Sequence, residues 1–262
     1  FAKQARVVDA KTEKFQSDLN EALYHSVQFT DLQPDTLYAY RVGDGHNWSE
    51  WNQFRTAAKG NAPLEFMYVG DAQNDIWEFW SRLVRRGYAT APGARFIIHA
   101  GDLVNRAARD AEWGEWHQAP GWINRSMVSL PVPGNHEYGA VPGKKQLAPH
   151  WRPTFTLPEN GIEGILESNY YIDVQGVRIV AMNSNEKQKE QIEWLDKLLS
   201  NNPNKWTILT FHHPIYSAAR SRDNKDLREL WQPVFDKHKV DMVLTGHDHT
   251  YARSNLRTGV SA

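Results

Sequence analysis

Asp71, Asp102, Asn135, His212, His247 and His249 offer carboxylate, amide and imidazole donors. Those donor types together suit hard or borderline cations such as Mn, Fe and Zn. Their spacing is as informative as their chemistry. Each opens a loop after a short apolar run: Phe66–Val69, Phe96–Ala100, Met127–Val132, Trp206–Thr210 and Val240–Leu244. Open α/β sheets place their sites beyond the carboxyl ends of the strands, so the five loops are expected to converge on one edge. Glycine directly before Asp71, Asp102, Asn135 and His247 permits tight turns there. Taken singly, each residue is more commonly a turn-capping Asp or a solvated His. Taken in order at successive strand ends, they are expected to form a metal site.

The elements that must hold these donors follow from hydrophobic periodicity. From Leu64 onward strands alternate with helices, which predicts an α/β domain. Ile76 to Tyr88 carries Ile76, Phe79, Trp80, Leu83 and Val84 at helical spacing, and a Trp-rich helix is expected around Glu112–Gln118. Asn169–Val174 and Val177–Met182 form a hairpin across Gln175-Gly176, and helices are expected over Glu190–Leu199 and Leu227–His238. The first 57 residues have a different texture. Short strands are expected at Ala5–Ala10, Tyr24–Phe29, Leu37–Val42 and Trp48–Phe54, with Lys59–Pro63 as a linker. The Tyr-x-Tyr-x-Val strand after a turn resembles the later strands of a fibronectin-III-like sandwich. Such a sandwich needs roughly 100 residues. The expectation is therefore a partial all-β sandwich over residues 1–58, followed by a catalytic domain over 64–262.

Composition narrows the chemistry. Zero Cys excludes disulfides, thiolate metal sites and a Cys nucleophile, leaving His, Asp, Glu, Asn and Gln as metal donors. The net charge of −1, without long charged blocks, argues against a bulk electrostatic grip on nucleic acid, which enters only as a possible substrate. No run of about 18 apolar residues predicts a membrane span. The chain starts at Phe1 and shows no signal peptide, so it reads as processed or trimmed.

Gly70-Asp71, Gly101-Asp102, Gly134-Asn135-His136-Glu137, His212-His213-Pro214 and Gly246-His247-Asp248-His249 resemble the five motif blocks of calcineurin-like metallophosphoesterases. The sandwich-like segment in front resembles the purple-acid-phosphatase branch. The resemblance covers residues 64–253 and implies a four-layer αββα fold. It implies that Asp71 and His249 bind a first metal, that Asp102 bridges both, and that Asn135, His212 and His247 bind the second. His136 would contact the phosphoryl oxygen or protonate the leaving group. The implied substrate is a small phosphate ester, attacked at phosphorus by the shared hydroxide while the metals neutralise charge on the equatorial oxygens.

Two positions depart from the pattern. Asn105 stands where purple members carry Tyr, so the protein is not expected to be purple or to require ferric iron. Gln73 stands where many non-purple relatives carry His, leaving it either as an amide ligand or with water filling the place. Asn105, His213, Tyr216 and Arg253 are expected to face substrate, with Arg253 equally suited to a structural ion pair. His99 on its apolar strand reads as a hydrogen-bonded core residue. Trp77, Trp80, Trp113 and Trp116 read as core. His25, His46, His117, His150 and His238 read as surface or structural. The leading function is a phosphatase. A phosphodiesterase of the same fold, and a cell-surface binding module with a degenerate site, are the alternatives. Relatives with this front segment are often exported, which implies a periplasmic or secreted location. The tail after Arg253 is shorter than the family's closing strands, which implies a chain that continues. Oligomeric state has no sequence signal.

Overall fold

The structure, a computed structural model, describes residues 5–139 and 143–255. It begins with two separate antiparallel hairpins: β1 (Lys11–Gln16) with β2 (Glu21–Ser26), and β3 (Leu37–Tyr40) with β4 (Asn52–Arg55). Among the described residues the two hairpins share no ladder. The strand expected at Ala5–Ala10 is irregular. Pairing begins at Lys11, because the Ser17–Asn20 turn fixes the register Phe15↔Ala22. Each hairpin leans on the rest of the molecule. Ser26 Oγ lies 2.8 Å from Thr156 Oγ1, and Tyr40 donates its hydroxyl to the Arg125 carbonyl at 2.8 Å.

Beyond them the chain alternates as expected: β5 (Met67–Val69), α1 (Ile76–Thr90), β6 (Phe96–His99), α2 (Asp110–Gln118), α3 (Ile123–Ser126), β7 (Val128–Pro131), α4 (Trp151–Thr154), β8 (Tyr170–Val174), β9 (Val177–Ala181), α5 (Glu190–Ser200), β10 (Trp206–Thr210), α6 (Lys225–Lys237) and β11 (Met242–Leu244). Strands β5, β6 and β7 form one parallel sheet. The other sheet has the order β11-β10-β9-β8, parallel except for β8.

Residue alternation explains how the sheets stack. On β6, Ile97 joins Trp80, Val84, Trp113 and Trp116 beneath α1 and α2. Its neighbours Phe96 and Ile98 point the other way, into a core shared with Val177, Ile179 and Ile208 of the second sheet. On β9 and β10, Val180 and Leu209 meet Leu195, Leu199, Trp231 and Phe235 of α5 and α6. The result is helix, sheet, sheet, helix. Strands buried on both faces read as continuous apolar runs, and a one-residue slip would exchange two different cores. Trp77 is a departure from expectation: it is 52% exposed on the outer face of α1, while Trp80, Trp113 and Trp116 are buried.

Candidate metal centre

The carboxyl ends of β5, β6 and β7 meet those of β10 and β11, and the loops beyond them interlock. Asp71 accepts the backbone N–H of His247 on both carboxylate oxygens at 2.9 Å, joining β5 to β11 across the two sheets. Backbone conformation there is demanding. Asp71, Asp102, His247 and His249 all have positive φ, at 56°, 51°, 75° and 48°. Such residues cost of order 1 kcal/mol or more each and persist where the surroundings enforce them. Glycine is needed beside them for room. A Cβ at Gly134 would overlap the Asp102 carboxylate, and one at Gly246 would lie 2.6 Å from the Ala100 carbonyl oxygen.

His212 lies at the centre and is fully buried. Its Nδ1–H donates to the Ala100 carbonyl at 2.8 Å, which turns Nε2 toward the other donors. Around that nitrogen stand Asn135 Oδ1 at 3.0 Å, Asp102 Oδ2 at 3.1 Å and His247 Nδ1 at 3.2 Å. A single proton on Nε2 cannot satisfy three lone-pair atoms at once, whereas a cation among them can. Burial opposes charge on His212, but bonding to Asp102 outweighs it and holds the ring's pKa above the usual histidine value. Burial likewise pushes Asp102 up, and His212 and the His136 N–H more than offset it, leaving the carboxyl below its ordinary range. Burial, then the His212 and Arg222 charges, push His247 down to about 4, so its ring is a neutral donor near pH 7. A second cluster holds Asp71, Asp102 and His249, with ligand atoms within 4.8 Å of one another. The donor set therefore fits two adjacent cations with Asp102 in reach of both. An imidazole tied through its far nitrogen to a backbone carbonyl is the usual support of a metal-binding histidine.

His213 stands beside this group, and one of its ring nitrogens lies within 4.8 Å of ring nitrogens of His212 and His247. Ser184 Oγ lies 2.8 Å from its Nδ1 and accepts its backbone N–H at 3.1 Å. His136 lies beside Asp102, with its Nε2 3.9 Å from Asp102 Oδ2. Its backbone N–H donates to Asp102 Oδ1 at 2.9 Å and its Nδ1–H to the Asn105 carbonyl at 2.7 Å. The Gln73 amide nitrogen is 2.9 Å from His136 Nε2, while Gln73 Oε1 is buried without a hydrogen-bond partner. Asn105 thus enters through its main chain. Tyr216 turns away, donating to Gln232 Oε1 at 2.7 Å and packing under Arg228. Tyr251 and Arg253 are exposed.

Several supporting residues had no role in the sequence reading. Glu137, 0% exposed, accepts backbone N–H groups from Asp102, Leu103 and Gly134 at 2.9, 2.9 and 2.7 Å. Asp248 accepts from Ser217 Oγ and Ala218 N, both at 2.8 Å, tying the loop after β10 to the loop after β11. Arg222 donates to the His247 carbonyl. The signal available for Glu137 and Asp248 was position alone, since each sits inside a motif block.

Residues 28–251 match the family model of the calcineurin-like phosphoesterases, and the chain belongs to that family. It is 27% identical to an uncharacterised Mycobacterium tuberculosis protein, covering 97% of this chain and 55% of that one. It is also 27% identical to the Fe(3+)-Zn(2+) purple acid phosphatase 12 of Arabidopsis thaliana, over 90% of this chain and 53% of the plant protein. The chain spans about half the length of these curated relatives. Among solved structures, a purple acid phosphatase from yellow lupin seeds superposes with a TM-score of 0.71 at 18% identity, over 91% of this chain and 53% of that chain. PhoD superposes with a TM-score of 0.59 at 10% identity, over 86% of this chain and 58% of that chain. These two likenesses establish the mixed α/β fold.

Proposed function

We propose that this chain is a dinuclear-metal phosphoesterase acting on phosphate monoesters. The observation that carries the reading is the meeting of Asn135, Asp102 and His247 on one nitrogen of His212, beside the Asp71–Asp102–His249 cluster. Asp71, Asp102 and His249 would hold one cation, and Asp102, Asn135, His212 and His247 the other. Mn, Fe and Zn all suit such donors. When bound, the pair of cations lowers the pKa of water and neutralises charge on the phosphoryl group.

The chain's own residues supply the rest. Water's oxygen bonds to phosphorus, the P–O bond to the alcohol breaks, and the departing oxygen takes a proton from His136. The Asn105 carbonyl keeps Nδ1 of that ring as N–H, so Nε2 is where a proton comes and goes. Gln73 serves both states. Its amide N–H meets a bare Nε2, and after a half-turn its carbonyl oxygen would accept from a protonated one. Gln73 is thus read as the partner of His136, with Oε1 left for a cation or a water. His213 borders the space where the ester would lie. Residues 1–58 are read as an accessory unit and 64–262 as the catalytic unit.

The test is hydrolysis of p-nitrophenyl phosphate and bis(p-nitrophenyl) phosphate by manganese-loaded protein. Preference for the monoester supports the proposal, and preference for the diester makes the chain a phosphodiesterase. Two equivalents of bound metal with no turnover of either would make it a binding module.

A further inference from the structure

Two cavities flank His213 and Lys145, and their charges differ. The first, of about 440 Å³, begins at the proposed ligand Asn135 and runs past Tyr138, Asn185 and His213 to Lys144 and Lys145. Among the described residues no carboxylate lines it. The nearby Glu186 is engaged by the Tyr138 hydroxyl at 2.6 Å. The second, of about 360 Å³, is bordered by Lys145 and Lys225 but also by Asp223 and Asp226. Its charges are largely compensated, since Asp223 pairs with Arg228 at 2.5 Å and Lys225 with Glu229 at 3.6 Å. Among the described residues neither Lys144 nor Lys145 makes an ion pair, and both are exposed. An anion entering the first cavity therefore meets two cations without displacing a carboxylate from either.

We infer that the first cavity receives a second phosphate of the substrate, read by Lys144 and Lys145, so that bisphosphorylated small molecules are preferred over their monophosphates. This rests on the phosphoesterase reading. With one phosphoryl group at the Asn135 end, the leaving group lies along Tyr138 and Asn185, and its own phosphate reaches the lysines. Lys145 also contributes positive potential at His213, so the favourable field extends to the wall between the cavities.

The experiment compares fructose 1,6-bisphosphate with fructose 6-phosphate on manganese-loaded protein, by kcat/KM and by calorimetric binding. The wild type is expected to favour the bisphosphate by about tenfold, mostly in KM, with the preference falling as salt is added. In the K144A/K145A double variant the ratio should fall to about one. Both side chains are exposed, so folding is not at stake, and unfolding midpoints verify this. Equal handling of the two sugars by the wild type, or a preference that survives in the double variant, overturns the inference. Turnover of p-nitrophenyl phosphate separates the layers. If it proceeds without a bisphosphate preference, the subsite fails and the phosphoesterase reading stands. If no ester is turned over, the calorimetric comparison still decides the subsite.

Discussion

The carboxylate of Glu137 reaches across 35 residues of chain to hold the backbone of Asp102, with one oxygen 2.9 Å from the Asp102 amide nitrogen and 2.7 Å from that of Gly134. Its other oxygen takes the Leu103 N–H at 2.9 Å. One buried side chain thus braces the loop after β6 against the loop after β7. In Glu137→Gln the incoming NH₂ faces backbone donors, leaving at least one buried N–H without an acceptor. The expected loss is about 2–4 kcal/mol of stability together with weaker metal binding, read by urea unfolding and metal titration. A variant matching the wild type in both would show that the brace is dispensable.

Asp102 is the carboxylate common to both proposed cation positions. Asp102→Asn keeps the shape and removes the shared negative charge, and turnover of phosphate esters should fall by at least about a hundredfold. Metal content measured alongside should drop below that of the wild type. Near-normal activity would refute the assignment of this residue.

Gln73→Leu separates two roles for one amide. If Gln73 orients His136, kcat should fall by about tenfold with KM and metal content little changed. Loss of one metal equivalent would instead make Gln73 a ligand through Oε1. Kinetics paired with metal analysis on the same preparation gives the answer.

Stability should decline in mild acid because of His99. Burial pushes this ring down to about 3, against roughly 6.5 in the unfolded chain. Above pH 6.5 the ring is neutral in both states and folding is unaffected. Below it the unfolded chain takes up a proton that the folded one refuses, so stability is lost as pH falls from 6.5 toward 3. The loss between pH 7 and pH 5 is about 2 kcal/mol from this residue. Urea midpoints for wild type and His99→Gln across that range check it, and parallel pH profiles for the two proteins would rule His99 out.

The strands that carry the donors were legible because their chemistry and their burial coincide. Phe96-Ile97-Ile98 is apolar on both faces, and Asp102 follows at the point where the run stops. The N-terminal hairpins were less legible. Lys11–Gln16 is mostly exposed and has no apolar alternation, and it is a strand because Glu21–Ser26 pairs with it. Asn135, Asp102 and His247 gather around His212, and Asp71, Asp102 and His249 form a second group. What the sequence withheld was how they are supported, because satisfying the Asp102 and Gly134 amides from Glu137, or turning the His212 ring with the Ala100 carbonyl, depends on contacts made only in three dimensions. Lys144 and Lys145 carried no signal either, since a lysine pair in a loop has no meaning until a cavity stands beside it.

Asp71, Asp102 and Asn135 hang from the first sheet, and His212, His247 and His249 from the second. Neither half owns all six proposed ligands. A cation held by the proposed ligands would be a rivet through a seam, and its affinity would gauge how well the two halves are seated. A change far from any ligand, in the shared interior of Ile98, Ile179 and Ile208, would let the halves shift by a fraction of an ångström. Looser metal binding would register that slip before unfolding did.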